Sequence, residues 1–284
     1  RFSEQISGDP FIALVERGAL QQVGFYEQDP YDSYFSGNVV QICPVGALTS
    51  AAYRFQARPF DLKSTTTTCD YCAGGCEIRA DHRHHQVKRH QAGDAPEVNE
   101  EWLCDKGRFG FVSGRGEDRL TRPLVRRNGV LQAASWPEAI DAAVAGLKAA
   151  GTAVGVLPGG RLTVENAYAY SRFARTVLGT NNIDFRSRAA SEEEAEFLAS
   201  RVAGRGMDVT YADLEAARHV VLVSYEPEDE TSVVFLRLRK AVRKHGLKVT
   251  TLAPFASRGT QKLSATLIPV APGAEAQTLE AMDL

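Results

Sequence analysis

Cysteine, methionine and tryptophan are all scarce in this chain: five, two and two among 284 residues. Long apolar runs are missing too. Nothing approaches the roughly 18 residues of a membrane-spanning helix, and the longest run, VVLVSY at 220–225, has the length of a strand. Neither sign of charge dominates, because 33 Lys and Arg stand against 35 Asp and Glu for a net charge of −2. That balance removes any electrostatic argument for nucleic acid or for an anionic membrane surface. No secretory leader is recognisable, and 44% hydrophobic residues suffice for a sizeable core, so disulfide staples are not expected. The chain opens on Arg1 and ends on AMDL in a helix-like run, and we expect it to be part of a longer protein.

Against that scarcity, three of the five cysteines fall within eight residues, in CDYCAGGC at 69–76. The pattern is Cys69-x2-Cys72-x3-Cys76, then 27 intervening residues, then Cys104. Neighbouring cysteines in so tight a loop cannot all pair with one another, which counts against disulfides. Structural zinc is the rival, since four thiolates suit a tetrahedral ion. Zinc sites usually take their ligands as two separated pairs, whereas here one loop offers three and a distant segment closes the fourth. That division suits a [4Fe–4S] cubane. Gly74 and Gly75 let the loop wrap closely, with N–H groups free to face sulfur.

Cys43, in NVVQICPVGALTS, stands apart. A lone cysteine among apolar residues is commonly a core residue, yet a directly following proline resembles the end of bacterial ferredoxin motifs. One cysteine cannot hold a cluster, so its companions would lie upstream of Arg1. DHRHH at 81–85 and His90 sit among Arg79, Arg83, Lys88 and Arg89, and read as a solvated hairpin rather than a metal tract. SEEEAEF fits a helix start with Ser191 as N-cap and Glu194 closing a capping box. RLRKAVRKHG at 237–246 reads as the exposed basic face and last turn of a helix stopped by Gly246.

The expected architecture is α/β. Residues 1–62 are loop-rich; 63–118 form a small cysteine-rich β module with a hairpin between the third and fourth cysteines; 119–284 form an incomplete parallel-sheet α/β domain. In the last segment, an Asn128-Gly129 turn joins two extended stretches. A helix from Ser135 and Pro137 stops at Gly151. TAVGVLPGG is expected as a strand, Thr163–Leu178 as a helix, 219–225 as a strand, 231–246 as a helix and 247–253 as a strand. Such alternation indicates right-handed crossovers and ligand positions beyond the strands' carboxyl ends, at LPGGR and SYEPEDE.

Taken with DKGRFGF and RLTRPLVRRNGVLQAASWPEAI, the cysteine pattern resembles the molybdopterin oxidoreductase superfamily. RFSEQISG with SGNVVQICPVGALTS resembles, more narrowly, the G-subunit family of bacterial NADH–quinone oxidoreductase, respiratory complex I. The resemblance extends over essentially the whole chain. It implies that Cys69, Cys72, Cys76 and Cys104 bind one [4Fe–4S] cluster, an extra cluster of some bacterial members lying off the main electron path. It implies that Cys43 completes a second [4Fe–4S] cluster with three cysteines upstream. It further implies electron transfer from NADH and flavin toward quinone, with no self-contained active site here. The expected partners are other peripheral-arm subunits, without nucleic acid, and the location is the cytoplasmic side of the bacterial inner membrane, reached only through those partners.

The alternative within the superfamily is a molybdenum enzyme such as an NAD-linked formate dehydrogenase. There the stretch resembling NNIDFRSRAA places a cysteine or selenocysteine metal ligand where Ala190 stands, and alanine has no donor atom. Ser224 and Glu226 stand where Gly and Asn would approach the pterin nucleotide, and SEEEAEF adds negative charge nearby. These departures imply a retained fold without molybdopterin. Lys106 does match the lysine lying between cluster and pterin in those enzymes.

Overall fold

The computed structural model describes residues 1–25, 28, 30–186 and 191–282. These fall into two compact units, one formed by residues 1–112 with 207–284 and the other by residues 113–206. Ala190 lies outside the described residues.

The first 62 residues of the larger unit are loop-rich, as their glycines and prolines lead one to expect. A π-helical turn at Phe2–Ser7 is followed by a short antiparallel ribbon, β1 (Ala13–Val15) and β2 (Gln22–Gly24), and by helix α1 (Gly37–Gln41). The cysteine module is an antiparallel sheet of β3 (Lys63–Thr68), β4 (Glu77–Arg83) and β5 (Gln86–Ala92), in that order. The β4–β5 hairpin turns at His84 and His85, both in left-handed backbone with φ of 50° and 60°. A two-residue turn with both φ positive matches the twist of the strands it joins. Short helix α2 (Asp105–Phe109) follows, with Cys104 as its N-cap.

In the smaller unit, β6 (Leu124–Arg127) and β7 (Val130–Ala133) form the hairpin that Asn128-Gly129 specifies. Helix α3 (Trp136–Ala150) begins at a full capping box between Ser135 and Glu138 and stops at Gly151. Helix α4 (Val164–Thr176) is N-capped by Thr163. TAVGVLPGG, expected as a strand, supplies only a single parallel bridge, Val156 to Ile183. Pro158 lacks a donor and the glycines on either side favour turning, so the ladder has nothing to extend it. Helix α5 (Glu192–Phe197) starts at Ser191, whose hydroxyl accepts from the Glu194 N–H. The expected return bond of a capping box is replaced: the Glu194 carboxylate pairs with Arg186 at 3.0 Å.

The chain then re-enters the larger unit. Helix α6 (Tyr211–Ala216) precedes β8 (His219–Val223), then α7 (Pro227–Glu230), α8 (Ser232–His245), β9 (Lys248–Ala253), α9 (Arg258–Lys262), β10 (Thr266–Pro269) and α10 (Glu275–Ala281). Strands β8, β9 and β10 make a parallel sheet with β9 central. Parallel strands need crossovers, and α8 supplies one. Its apolar face buries Phe235, Leu236 and Leu238 against Val249 of β9, Leu263 and Phe35, whose ring stacks on Phe235 at 5.8 Å. The basic stretch of α8 is not wholly solvated, as its charge pattern suggests. Arg237 is only 5% exposed, because Glu215 takes its guanidinium at 2.6 Å and Lys240 shares that carboxylate.

Candidate metal centre

The loop carrying the first three cysteines springs from the end of the β3–β4 ladder, where Thr68 pairs with Glu77. It is closed by the Cys69 N–H donating to the Cys76 carbonyl at 2.8 Å. Cys69 and Cys76 therefore face each other at the neck, with Cys72 on the excursion. Gly75 turns the loop at φ +68°. The Gly74 N–H donates to Cys72 Sγ at 3.4 Å. A Cβ on Gly74 would stand 2.9 Å from the Val233 side chain, so the loop presses on α8 at a distance only glycine permits.

Two buried asparagines bring the fourth cysteine in. Asn99 accepts the Glu77 N–H at 2.7 Å and donates to the carbonyls of Glu77 and Trp102 at 3.1 and 2.9 Å. Asn38 of α1 donates to the Leu103 carbonyl at 2.8 Å and accepts the Leu103 N–H at 3.1 Å. Cys104, next in sequence, then joins Cys69, Cys72 and Cys76 around one small cavity walled by Phe35, Trp102 and Leu236. The thiols ring this cavity rather than converge on a point: no three Cys, His, Asp or Glu side chains among the described residues are grouped to hold a single ion. Burial pushes the Cys69 thiol up to about 11 and the Cys76 thiol higher still, and neighbouring cysteines add to both shifts. A bound metal centre would reverse that preference by supplying positive charge.

Cys43 is not part of the ring. It follows α1 and is half-buried, with the backbone N–H groups of Leu48, Val45, Ala47 and Gly46 holding its thiol below the usual range. It lines a separate cavity of about 480 Å³ together with Gln41, His90 and Arg108. The histidines form no metal tract. His84 and His85 are exposed turn residues, while His90 Nδ1 lies 2.9 Å from the Gly107 carbonyl with its ring against Phe111.

Tyr211 is a site residue that sequence reasoning did not single out. Its hydroxyl donates to the Gly74 carbonyl at 2.7 Å, and burial, then charge on Cys76 and Cys72, pushes it up to about 12. Asn99 was equally unmarked, while Asn38 and Arg108 were noted only as members of SGNVVQICPVGALTS and DKGRFGF. Gly107, also inside DKGRFGF, belongs to the site as well: a Cβ there would meet Cys69 Sγ at 2.9 Å.

The family profile described as molybdopterin oxidoreductase matches residues 119–282. The chain belongs to the molybdopterin oxidoreductase family. The Fe4S4 domain of molybdopterin oxidoreductases matches residues 62–113, and the ferredoxin-like domain of NADH-quinone oxidoreductase subunit 3 matches residues 1–49. Among relatives, the NADH-quinone oxidoreductase G subunit of Streptomyces coelicolor is 59% identical over 297 residues, covering 99% of this chain and 35% of that protein. The corresponding G subunit of Mycobacterium bovis is 58% identical with the same coverage. Subunit 3 of the Thermus thermophilus NADH-quinone oxidoreductase is 38% identical over 244 residues, covering 86% of this chain and 29% of its own. The chain thus spans about a third of the length of the first two relatives. These matches support the resemblance to the G-subunit family and the expectation of [4Fe–4S] clusters.

Membership in this family raises the question of a pterin. The carboxyl ends of β8 and β9 open on a cavity of about 940 Å³ lined by Glu226, Glu228, Asp229 and Asp105, with Lys106 and Arg258. Its cations are already engaged. Lys106 is bonded to the Asp229 carbonyl and pairs with its carboxylate at 3.5 Å; Arg258 is held by Asp32 and Asp9 at 2.6 and 3.0 Å. Ser224 donates to Glu275 at 2.7 Å. The described walls do not suit a phosphate-bearing cofactor, since its charge would meet carboxylates with no free cation among the described lining residues to offset them.

Proposed function

We propose that Cys69, Cys72, Cys76 and Cys104 ligate one [4Fe–4S] cluster, and that Cys43 supplies one ligand to a second whose remaining ligands lie outside these residues. The observation that carries this reading is the ring of four thiols around one cavity, inside the segment that matches an Fe4S4 domain. The parent protein is then an iron–sulfur electron-transfer subunit of an NADH:quinone oxidoreductase, working between flavin and quinone in the peripheral arm. Flavin, NADH and quinone sites belong to partner subunits, and attachment to the cytoplasmic face of the membrane runs through those partners. No described helix is long and apolar enough to cross a membrane. We assign residues 1–62 to the end of a ferredoxin-like segment, 63–118 to the cluster module and 119–284 to a molybdopterin-oxidoreductase-like domain without molybdopterin.

A bound cubane supplies one-electron redox chemistry at low potential. The residues of this chain hold it, exclude water and set its electrostatics. Phe35, Trp102 and Leu236 wall off solvent, the Gly74 N–H offsets sulfur charge, and Tyr211 fixes the loop. The test is metal analysis and low-temperature EPR of the anaerobically purified protein, with and without Cys104→Ala. On the order of four irons per cluster, no molybdenum, and loss of one reduced-state signal in the variant are expected. Zinc alone, or an unaltered spectrum in the variant, would sink the ligand assignment.

A further inference from the structure

Arg108 is buried, at 6% exposed, yet among the described residues no carboxylate is ion-paired with it. Its hydrogen bonds go to neutral acceptors: Gln41 Oε1 and Asn38 Oδ1 at 2.9 Å each, and the His90 carbonyl at 3.5 Å. Its Nε is buried without an acceptor. Asp105 offsets part of that burial by its charge but makes no ion pair with Arg108, its carboxylate being taken by the N–H groups of Ser36 and Gly37 and the Ser36 hydroxyl. The fold also makes room for this cation deliberately, because a Cβ on Gly37 would sit 2.0 Å from Arg108 Cδ. A guanidinium so placed is costly unless something negative lies close by.

Arg108 adjoins the chain segments that carry both proposed ligand positions. The backbone N–H of Arg108 donates to the Cys104 carbonyl one turn back along α2, and charge on Asp105, then on Cys104, acts against the burial of its guanidinium. Its acceptor Gln41 stands two residues before Cys43, and Arg108 and Cys43 line the same cavity. Thiolate-ligated cubanes are anionic, and their potentials follow local charge. We propose that Arg108 is the buried counter-charge shared by the two cluster positions, and that it raises the reduction potential of both. This rests on the ligand reading above.

The experiment compares Arg108→Gln and Arg108→Lys in the full-length subunit within the assembled complex. It reads iron content and EPR-monitored potentials of the signals abolished by Cys104→Ala and by Cys43→Ser. In Arg108→Gln, both reduced-to-oxidised ratios at fixed potential should fall about tenfold, a shift of about 59 mV to lower potential for a one-electron couple. Arg108→Lys, which keeps the charge, should restore both. If Arg108→Gln loses iron while Arg108→Lys keeps it, the need for charge is likewise supported. Unchanged potentials in Arg108→Gln with full iron would overturn the proposal, as would equal loss of iron in both variants. Absence of both signals from the unsubstituted complex would remove the ligand reading itself, and this proposal with it.

Discussion

Asn38 holds Leu103 by both of its backbone groups, donating to the carbonyl at 2.8 Å and accepting the N–H at 3.1 Å, although 65 residues separate them. Asn38 is fully buried, Leu103 nearly so, and Cys104 follows immediately. One amide side chain therefore sets where the last cysteine of the ring stands relative to the helix leading to Cys43.

Asn38→Leu keeps the volume but strands the Leu103 pair and one Arg108 donor. Each buried group left without a partner costs about 1–3 kcal/mol, so a loss of about 3 kcal/mol or more is expected in urea unfolding. Iron should also leave the Cys104-dependent cluster faster under a chelator challenge. Release at the parental rate would mean that Cys104 is positioned independently of Asn38.

Gly107→Ala tests the close approach of α2 to the cysteine loop. The new Cβ would lie 2.9 Å from both Cys69 Sγ and Leu103 Cδ1. Overpacking at such a site typically costs about 1–3 kcal/mol, and here the atom displaced is a proposed ligand. We expect a lower midpoint for thermal unfolding and a reduced iron content in the purified protein. A full complement of iron with an unaltered EPR line shape would show that the loop yields without moving the sulfur.

Tyr211→Phe removes only the hydroxyl that donates to Gly74. A neutral hydrogen bond is worth about 1 kcal/mol, so the stability change should be small. The informative readout is the cluster: the loop loses its tether from α6, and the EPR signal assigned to Cys72 and its neighbours should broaden. An identical spectrum would assign Tyr211 to packing alone.

How much of this was legible in the sequence follows from the range of each interaction. The β4–β5 and β6–β7 hairpins and the starts of α3 and α4 rest on residues a few positions apart, and local pattern found them. Cysteine spacing likewise grouped Cys69, Cys72, Cys76 and Cys104, the same four that the fold brings to one cavity. Tyr211 reaches Gly74 across 137 residues, and Asn38 reaches Arg108 across 70. No periodicity marks either, since an isolated Tyr or Asn carries no local signal of what it will meet. TAVGVLPGG failed as a strand because apolar composition does not supply a ladder partner. Arg237 failed as a solvated residue because its acidic partner, Glu215, comes from a different helix, α6.

That last pair makes a pH prediction. Burial opposes ionisation of Glu215, but hydrogen bonds and charge from Arg237 and Lys240 outweigh it and hold the carboxyl below its ordinary value of 4.5. A depressed folded-state value means that the unfolded chain takes up the proton first. The stabilisation is therefore fully present above 4.5 and is lost as the pH falls through the lower folded value. Glu215→Gln should be less stable than the parent at pH 7, with the gap in urea midpoint narrowing below about pH 4.5. Arg237→Met should cost about 3 kcal/mol at neutral pH, near the low end for a broken buried pair, because Lys240 still faces the carboxylates. A gap between parent and Glu215→Gln that stays constant down to pH 3 would mean that this carboxylate does not titrate with folding.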